Sequence, residues 1–188
     1  SANGAIRLGT STLTGTFSLG AGATTSLVLN NRQIDLSAAT GTETLDSSSS
    51  LTNATLVVNT DLLISGTGNK TLALAGTNVG NNTFAGTIYD GTGSQISLTH
   101  SGAGTWIISG NNTYTGATTI SSTGLTGIGS DTAFGASSSV VTLSGAGGAL
   151  QAIGSARTLA NNFVLSAATG LIGSNGLTIS GTFTNSAA

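Results

Sequence analysis

The chain has 188 residues, only 5% of them charged, and a formal net charge of -2, where about a quarter of a typical soluble domain is charged. Four basic residues are too few for counterion-driven binding of nucleic acid, and no apolar run approaches the roughly 18 residues that a membrane-spanning helix needs. With 38% apolar residues and a positive mean hydropathy, the composition is that of a folded chain with a neutral, hydroxyl- and amide-rich surface, not a disordered one.

Cysteine is absent, which removes disulfides, thiolate nucleophiles and cysteine-based metal sites. Aromatics at 4% argue against the interfacial girdles of a transmembrane barrel. The opening SANGAI, without methionine, reads as the start of a processed or excised piece.

Helix is disfavoured throughout, because 29 glycines and dense threonine oppose it and no apolar stripe of period 3.6 persists. Taken in chain order, TSTLTGT places Thr10, Thr12, Thr14 and Thr16 on one face of a strand, and Thr40, Thr42 and Thr44 repeat the pattern. SLVLNN, QIDLS, TLVVNTDLLISG and KTLALAG follow, then QISLTHSG, TWIISGNN, VVTLSG, NFVLS and LTISGTF. Each is a short apolar or alternating run closed by Gly, Asn, Ser or Asp, the pattern of strands and turns. The serine runs at 47–50 and 137–139 read as surface loops between them.

Phrases recur along the way. An Asn-Asn-Thr-aromatic phrase begins at Asn81 and again at Asn111, and Ile-Ser-Gly closes runs at Ile64, Ile108 and Ile179. Repetition, continuous strand signal and the absence of proline together predict an all-β fold, a β-solenoid over 1–188 as a single domain. Coils of roughly 20 to 25 residues would give about eight rungs and a rod roughly 40 Å long at the strand spacing. The corners are assigned to Asn30-Asn31, Asn81-Asn82, Asn111-Asn112 and Asn161-Asn162, with Gly86 and Gly116 closing two of the phrases. Asparagine is expected there because it tolerates the left-handed conformation and can ladder onto equivalent amides above and below.

Residues 97–122, SLTHSGAGTWIISGNNTYTGATTISS, resemble the passenger-associated transport repeat of autotransporter proteins. Weaker similarity extends from FAGTI at 84–88 through GGALQAIGSARTLANNFVLS to LTISGTF at 177–183. The sequence departs from the repeat at Ser122-Thr123-Gly124, where an Ala-Gly step is usual. The resemblance implies a right-handed, single-stranded parallel β-helix carried to the bacterial surface or beyond, hence an extracellular location.

Candidate chemistry is sparse. His100 is the only histidine and is expected to lie exposed in a turn, while Asp35, Glu43, Asp46, Asp61, Asp90 and Asp131 show no stacked carboxylate pair, with Asp35 expected to face outward. GAGG at 145–148 lacks the aspartate of a calcium repeat, and the Gly-Lys-Ser/Thr of a phosphate loop does not occur. No catalytic, metal or cofactor residue is therefore assigned. Trp106 would be a sugar-stacking platform if it faced outward, and the face of Thr10, Thr12, Thr14 and Thr16 could order water as ice-binding surfaces do, although threonine is also simply a good strand former.

The expected function is a non-enzymatic secreted or cell-surface β-helix serving as stalk, adhesin segment or scaffold. The alternative is a self-assembling filament subunit whose end coils or strand edges join other copies of the chain. An ice- or glycan-binding surface is a lesser alternative. The partners considered are thus further copies of itself and a host or surface glycan or protein, without nucleic acid and without a direct membrane span.

Overall fold

The structure is a computed structural model that describes residues 4–186. It contains twenty short strands: β1 (Ile6–Arg7), β2 (Thr16–Leu19), β3 (Leu27–Leu29), β4 (Ile34–Leu36), β5 (Gly41–Ser47), β6 (Leu56–Val58), β7 (Leu63–Ile64), β8 (Lys70–Ala75), β9 (Asn82–Phe84) and β10 (Ile96–His100). They continue with β11 (Trp106–Ile108), β12 (Thr118–Ile120), β13 (Leu125–Ile128), β14 (Val141–Leu143), β15 (Ala149–Ala152), β16 (Arg157–Leu159), β17 (Phe163–Leu165), β18 (Gly170–Ile172), β19 (Leu177–Ile179) and β20 (Phe183–Asn185). No helix occurs among the described residues, and each of the nine runs quoted above contains a strand. The segment TLVVNTDLLISG contains two, β6 and β7, with a corner between them.

Every strand pairs in parallel with its counterpart one turn of chain away. The longest face runs β2-β5-β8-β10-β12-β14-β17-β20, a second runs β18-β15-β13-β11-β9-β6-β3, and two short sheets, β1-β4-β7 and β16-β19, cover parts of the remaining side. The molecule is a parallel β-solenoid, as the sequence predicts. Eight rungs at about 4.8 Å place the outermost strands of the longest face about 34 Å apart.

Alternation explains the local structure. In β6, β9, β10, β11 and β12 the first and third residues are buried and the second is half-buried, so period-2 side chains feed one continuous interior. That interior stacks Leu36, Leu45, Leu56, Leu72, Leu74, Phe84, Ile96, Trp106, Ile108, Tyr114, Phe134 and Phe163 in contact from coil to coil. Each fully buried side chain of this size contributes roughly 1.5 to 3 kcal/mol.

Coil length is not uniform. In the first coils the chain advances 28 to 29 residues per turn, as in Thr16 with Thr44 and Leu27 with Leu56. At Leu98 with Thr118 the advance is 20 residues, so the 20-to-25 expectation holds only for the later coils. The extra residues of the early coils supply the β1-β4-β7 face and wider corner loops.

Several local expectations are corrected. TSTLTGT is not one strand face: Gly9 and Thr14 form an isolated antiparallel bridge, Thr10 N–H donates to the Leu13 carbonyl at 2.8 Å, and Thr10 Oγ1 accepts from the backbone of Thr12 and Leu13. Only Thr16 enters a strand. The serine runs are not simply surface loops either, since Ser47, Ser49 and Ser139 are buried and alternate with outward neighbours. No described non-glycine residue has positive φ, so asparagine does not turn the chain by adopting the left-handed conformation. Glycine does so in places, for example Gly76 at φ 111°. At Gly86 and Gly116 the reason is proximity: a Cβ would run into the carbonyl oxygens of Thr60 and Ile96 on the preceding coil.

Candidate functional site

Three of the four asparagine pairs split into inward and outward members, while Asn30 and Asn31 are both exposed. Asn82, Asn112 and Asn161 are buried, whereas Asn81, Asn111 and Asn162 are exposed. Two residues after each buried amide comes a buried aromatic, Phe84, Tyr114 and Phe163, so the repeated phrase encodes an inward amide, an outward polar residue and an inward ring. The two Asn-Asn-Thr phrases do not stack on each other, because Asn82 pairs with Trp106 and Asn112 accepts from the backbone N–H of Ile88.

The buried amides join coils through backbone groups. Asn112 takes the Ile88 N–H at 2.8 Å and gives its own N–H to the Ala133 carbonyl at 2.8 Å, spanning three coils. Asn161 donates to the carbonyls of Phe134, Ala136 and Ser139. Asn82 accepts from Leu56 N–H and Ser47 Oγ and donates to the Thr105 carbonyl at 2.9 Å. Among the described residues, amide-to-amide laddering between coils joins exposed Asn59 and Asn30 at 2.7 Å. These residues are structural, and no chemistry beyond hydrogen bonding is offered by them.

His100, expected exposed, ends β10 fully buried. Its Nδ1 lies 2.7 Å from Thr126 Oγ1, and Nε2 has no hydrogen-bond partner. Burial pushes its pKa down to about 4, opposed by the backbone of Gly104, so the imidazole is neutral at physiological pH and has no carboxylate to orient it. Trp106 is also fully buried, with Nε1 donating to the Ala75 carbonyl at 2.9 Å. It presents no face to a sugar. Tyr114 is buried beside Thr118, 2.7 Å between hydroxyls, and desolvation raises its pKa above the usual phenol range.

Most of the charge gathers in the early, wide coils. Eight of the ten charged residues lie between Arg7 and Asp90, and three of them, Asp35, Glu43 and Lys70, are buried. Asp35, expected to face outward, instead accepts the backbone N–H of Ser65 at 3.0 Å and its hydroxyl at 2.8 Å, while Arg7 Nε stands 3.4 Å from its second oxygen. Glu43 takes the backbone N–H groups of Ser37 and Ala38 on Oε1, both at 3.1 Å, and leaves Oε2 unpaired. Desolvation raises the Glu43 pKa; those two backbone donors and Lys70 work against it. Lys70 is lowered by burial and donates to the carbonyls of Gly66 and Gly68.

Above this cluster is an open cleft of about 450 Å³ lined by Arg7, Gly9, Thr10, Ser11, Ser37, Ala39, Ser65, Gly66 and Thr67. It follows one corner of the solenoid over three coils, between the β1-β4-β7 face and the longest sheet. Of its lining only Thr10 was singled out from sequence, along with Asp35 behind Arg7, because a cleft made by three stacked corners has no local motif.

On the longest face an outward column runs Thr16, Thr44, Ala73, Thr99, Thr119, Thr142, Val164 and Thr184 in register. This is a threonine-rich face that keeps Thr16 and Thr44 of the predicted threonines, with Thr42 on the same side of β5 opposite Thr71.

The family described as passenger-associated-transport-repeat matches residues 98–124. Over those residues the chain is similar to that repeat. The matched stretch begins in β10, takes in β11 and β12, and ends just short of β13, where the coil advance has fallen to 20 residues. The chain is also 47% identical over 51 residues to the adhesin BmaC autotransporter of Brucella suis biovar 1 (strain 1330), a match covering 27% of this chain and 2% of that protein. No solved structure matches the chain. The transport repeat marks the chain as resembling an autotransporter passenger segment, in agreement with the resemblance seen in residues 97–122.

Proposed function

We propose that the chain is a passenger segment of a bacterial surface protein, displayed outside the cell, in which stacked coils form a stiff, non-enzymatic scaffold that presents an adhesive region. The observation that carries this reading is the transport repeat built into the shortest coils, supported by the stretch shared with an autotransporter adhesin. The shape suits the task. Backbone pairing continues through every rung and corner amides tie neighbouring coils, so load along the axis is shared by many parallel hydrogen bonds. The test is surface display: the segment, expressed within its parent passenger, should be labelled on intact cells by an antibody to the longest face, and cells carrying it should bind a host-cell layer more than cells lacking it. Labelling only after lysis would overturn the location, and unchanged adhesion would overturn the adhesive role.

A second reading is favoured by a specific feature. At the high-numbered end the described strands β18 and β20 are exposed at all three positions, Leu171, Ile172 and Phe183 are 62%, 51% and 51% accessible, and Phe183 stacks on Phe163 with ring centroids 6.3 Å apart. An apolar end rung of this kind can seat another coil, so isolated copies of the segment can join end to end. Electron microscopy separates the cases: filaments support assembly, and dispersed particles at high concentration refute it.

A further inference from the structure

The cleft over the early coils has the makings of a binding site, about twice the volume of a hollow of about 230 Å³ in the later coils that also sets an arginine, Arg157, among serine and threonine hydroxyls. A volume near 450 Å³ is within the range of small-molecule sites. Arg7, on its rim with a side chain 56% accessible, is one of only four basic residues in the chain. Its Nε is held by Asp35, whose two oxygens are otherwise taken up by Ser65. That ion pair lies on the Nε side and leaves the terminal nitrogens for a ligand, since arginine has five N–H donors in a rigid plane suited to a carboxylate.

Around it the hydroxyls divide by role. Ser37 donates to the Gly9 carbonyl at 2.6 Å and Ser65 to Asp35, so both have lone pairs left to accept. Ser11 and Thr67 complete a ring of small polar groups, and no aromatic ring lines the cleft. Such a lining recognises a ligand by hydroxyl exchange and one charge, not by stacking.

We propose that this cleft binds a carboxylate-bearing sugar, of the uronic-acid type found in acidic polysaccharides, with Arg7 pairing its carboxylate and Ser11, Ser37, Ser65 and Thr67 engaging its hydroxyls. Asp35 acts as a positioning residue for Arg7. Asp35, Glu43 and Lys70 are the other charged groups near the site, and their mutual proximity leaves Arg7 as the exposed one. The inference deepens the adhesive reading by naming a ligand class and rests on it only for where the ligand is met.

The test uses the purified 188-residue chain and methyl glucuronide as probe, with methyl glucoside as the uncharged counterpart, followed by isothermal titration or ligand-observed magnetic resonance. The glucuronide should bind at least about tenfold more tightly than the glucoside, as expected when one charge-assisted bidentate contact is lost. Arg7→Gln should abolish that preference, Thr67→Trp should occlude the cleft and weaken both sugars, and Arg32→Gln, outside the lining, should bind as the parent does. Arg7 is half exposed, so its variant should keep the parent circular dichroism; should it misfold, Thr67→Trp carries the test. Equal binding of the two sugars, no binding of the glucuronide, or indifference to both cleft substitutions would overturn the proposal. Because the assay reads the isolated segment, its failure leaves surface display untouched, whereas intact-cell labelling tests display without the sugar.

Discussion

Asn82 is hydrogen-bonded to the backbone of Leu56, Asn78, Gly80 and Thr105 and to the hydroxyl of Ser47. Replacing it with alanine strands at least one buried donor and one buried acceptor, each costing roughly 1 to 3 kcal/mol. Asn82→Ala should therefore lose about 2 to 4 kcal/mol in urea unfolding, while Asn81→Ala, exposed one position earlier, should change stability by less than about 0.5 kcal/mol. Equal effects would contradict the inward assignment. The sequence shows paired amides but not which one turns inward; the aromatic two positions later settles this, since side chains with a spacing of two share a face.

His100 makes stability depend on pH. Its folded pKa, about 4, lies below its ordinary value of 6.5, so above pH 6.5 both states are neutral and the group costs nothing. As pH falls from 6.5 towards 4 the unfolded chain takes up a proton that the folded chain refuses, and stability is lost. Between pH 7 and pH 5 this amounts to about 2 kcal/mol. His100→Asn should remove that part of the slope, as measured by urea unfolding at the two pH values; an unaltered slope would show that the imidazole is solvated. The sequence alone suggested an exposed turn because THSG reads as a strand end. It hides that the ladder continues inward through His100, opposite Ile120 and Leu74.

At the scale of elements, the strands were legible because each carries its own alternation, and the corners were only half legible because their requirements come from the coil below. Gly116 illustrates this. A Cβ there would run into the Ile96 carbonyl and lie 2.5 Å from Ser97 Oγ. Gly116→Ala should cost about 2 to 4 kcal/mol, whereas Gly20→Ala, with open space around it, should be neutral or slightly stabilising by reducing the freedom of the unfolded chain. Thermal unfolding of both variants checks the contrast, and a harmless Gly116→Ala would mean that adjacent coils are further apart than described. The threonine face failed for a related reason: TSTLTGT has the alternation of a strand, but the Thr10 hydroxyl captures the backbone of Thr12 and Leu13 and closes a turn instead.

For the whole molecule, the transport repeat and the charged cleft occupy different parts of one stack. Tight coils with almost no charge continue the rod, while wide coils with eight of the ten charged residues build a surface able to discriminate ligands. Fold class follows from composition and repetition read over the entire chain; the cleft does not, since Arg7, Ser37 and Ser65 meet only when three successive coils are superposed. Stability at neutral pH should vary little between 0.1 M and 1 M salt, because the one described salt bridge, Arg7 with Asp35, is partly exposed and such pairs contribute at most about 1 kcal/mol. A strong salt dependence in urea unfolding would point to electrostatics as the force joining the coils.

The central claim is that successive turns of chain stack in parallel at one rung per turn. Spin labels on the outward column test it through dipolar distances: Thr44 with Thr142, Thr16 with Thr142 and Thr16 with Thr184 are four, five and seven rungs apart in the described register. Their backbone separations should therefore be about 19, 24 and 34 Å at the strand spacing. A linear increase of about 4.8 Å per rung supports the stack, and distances that do not grow with rung number would contradict it.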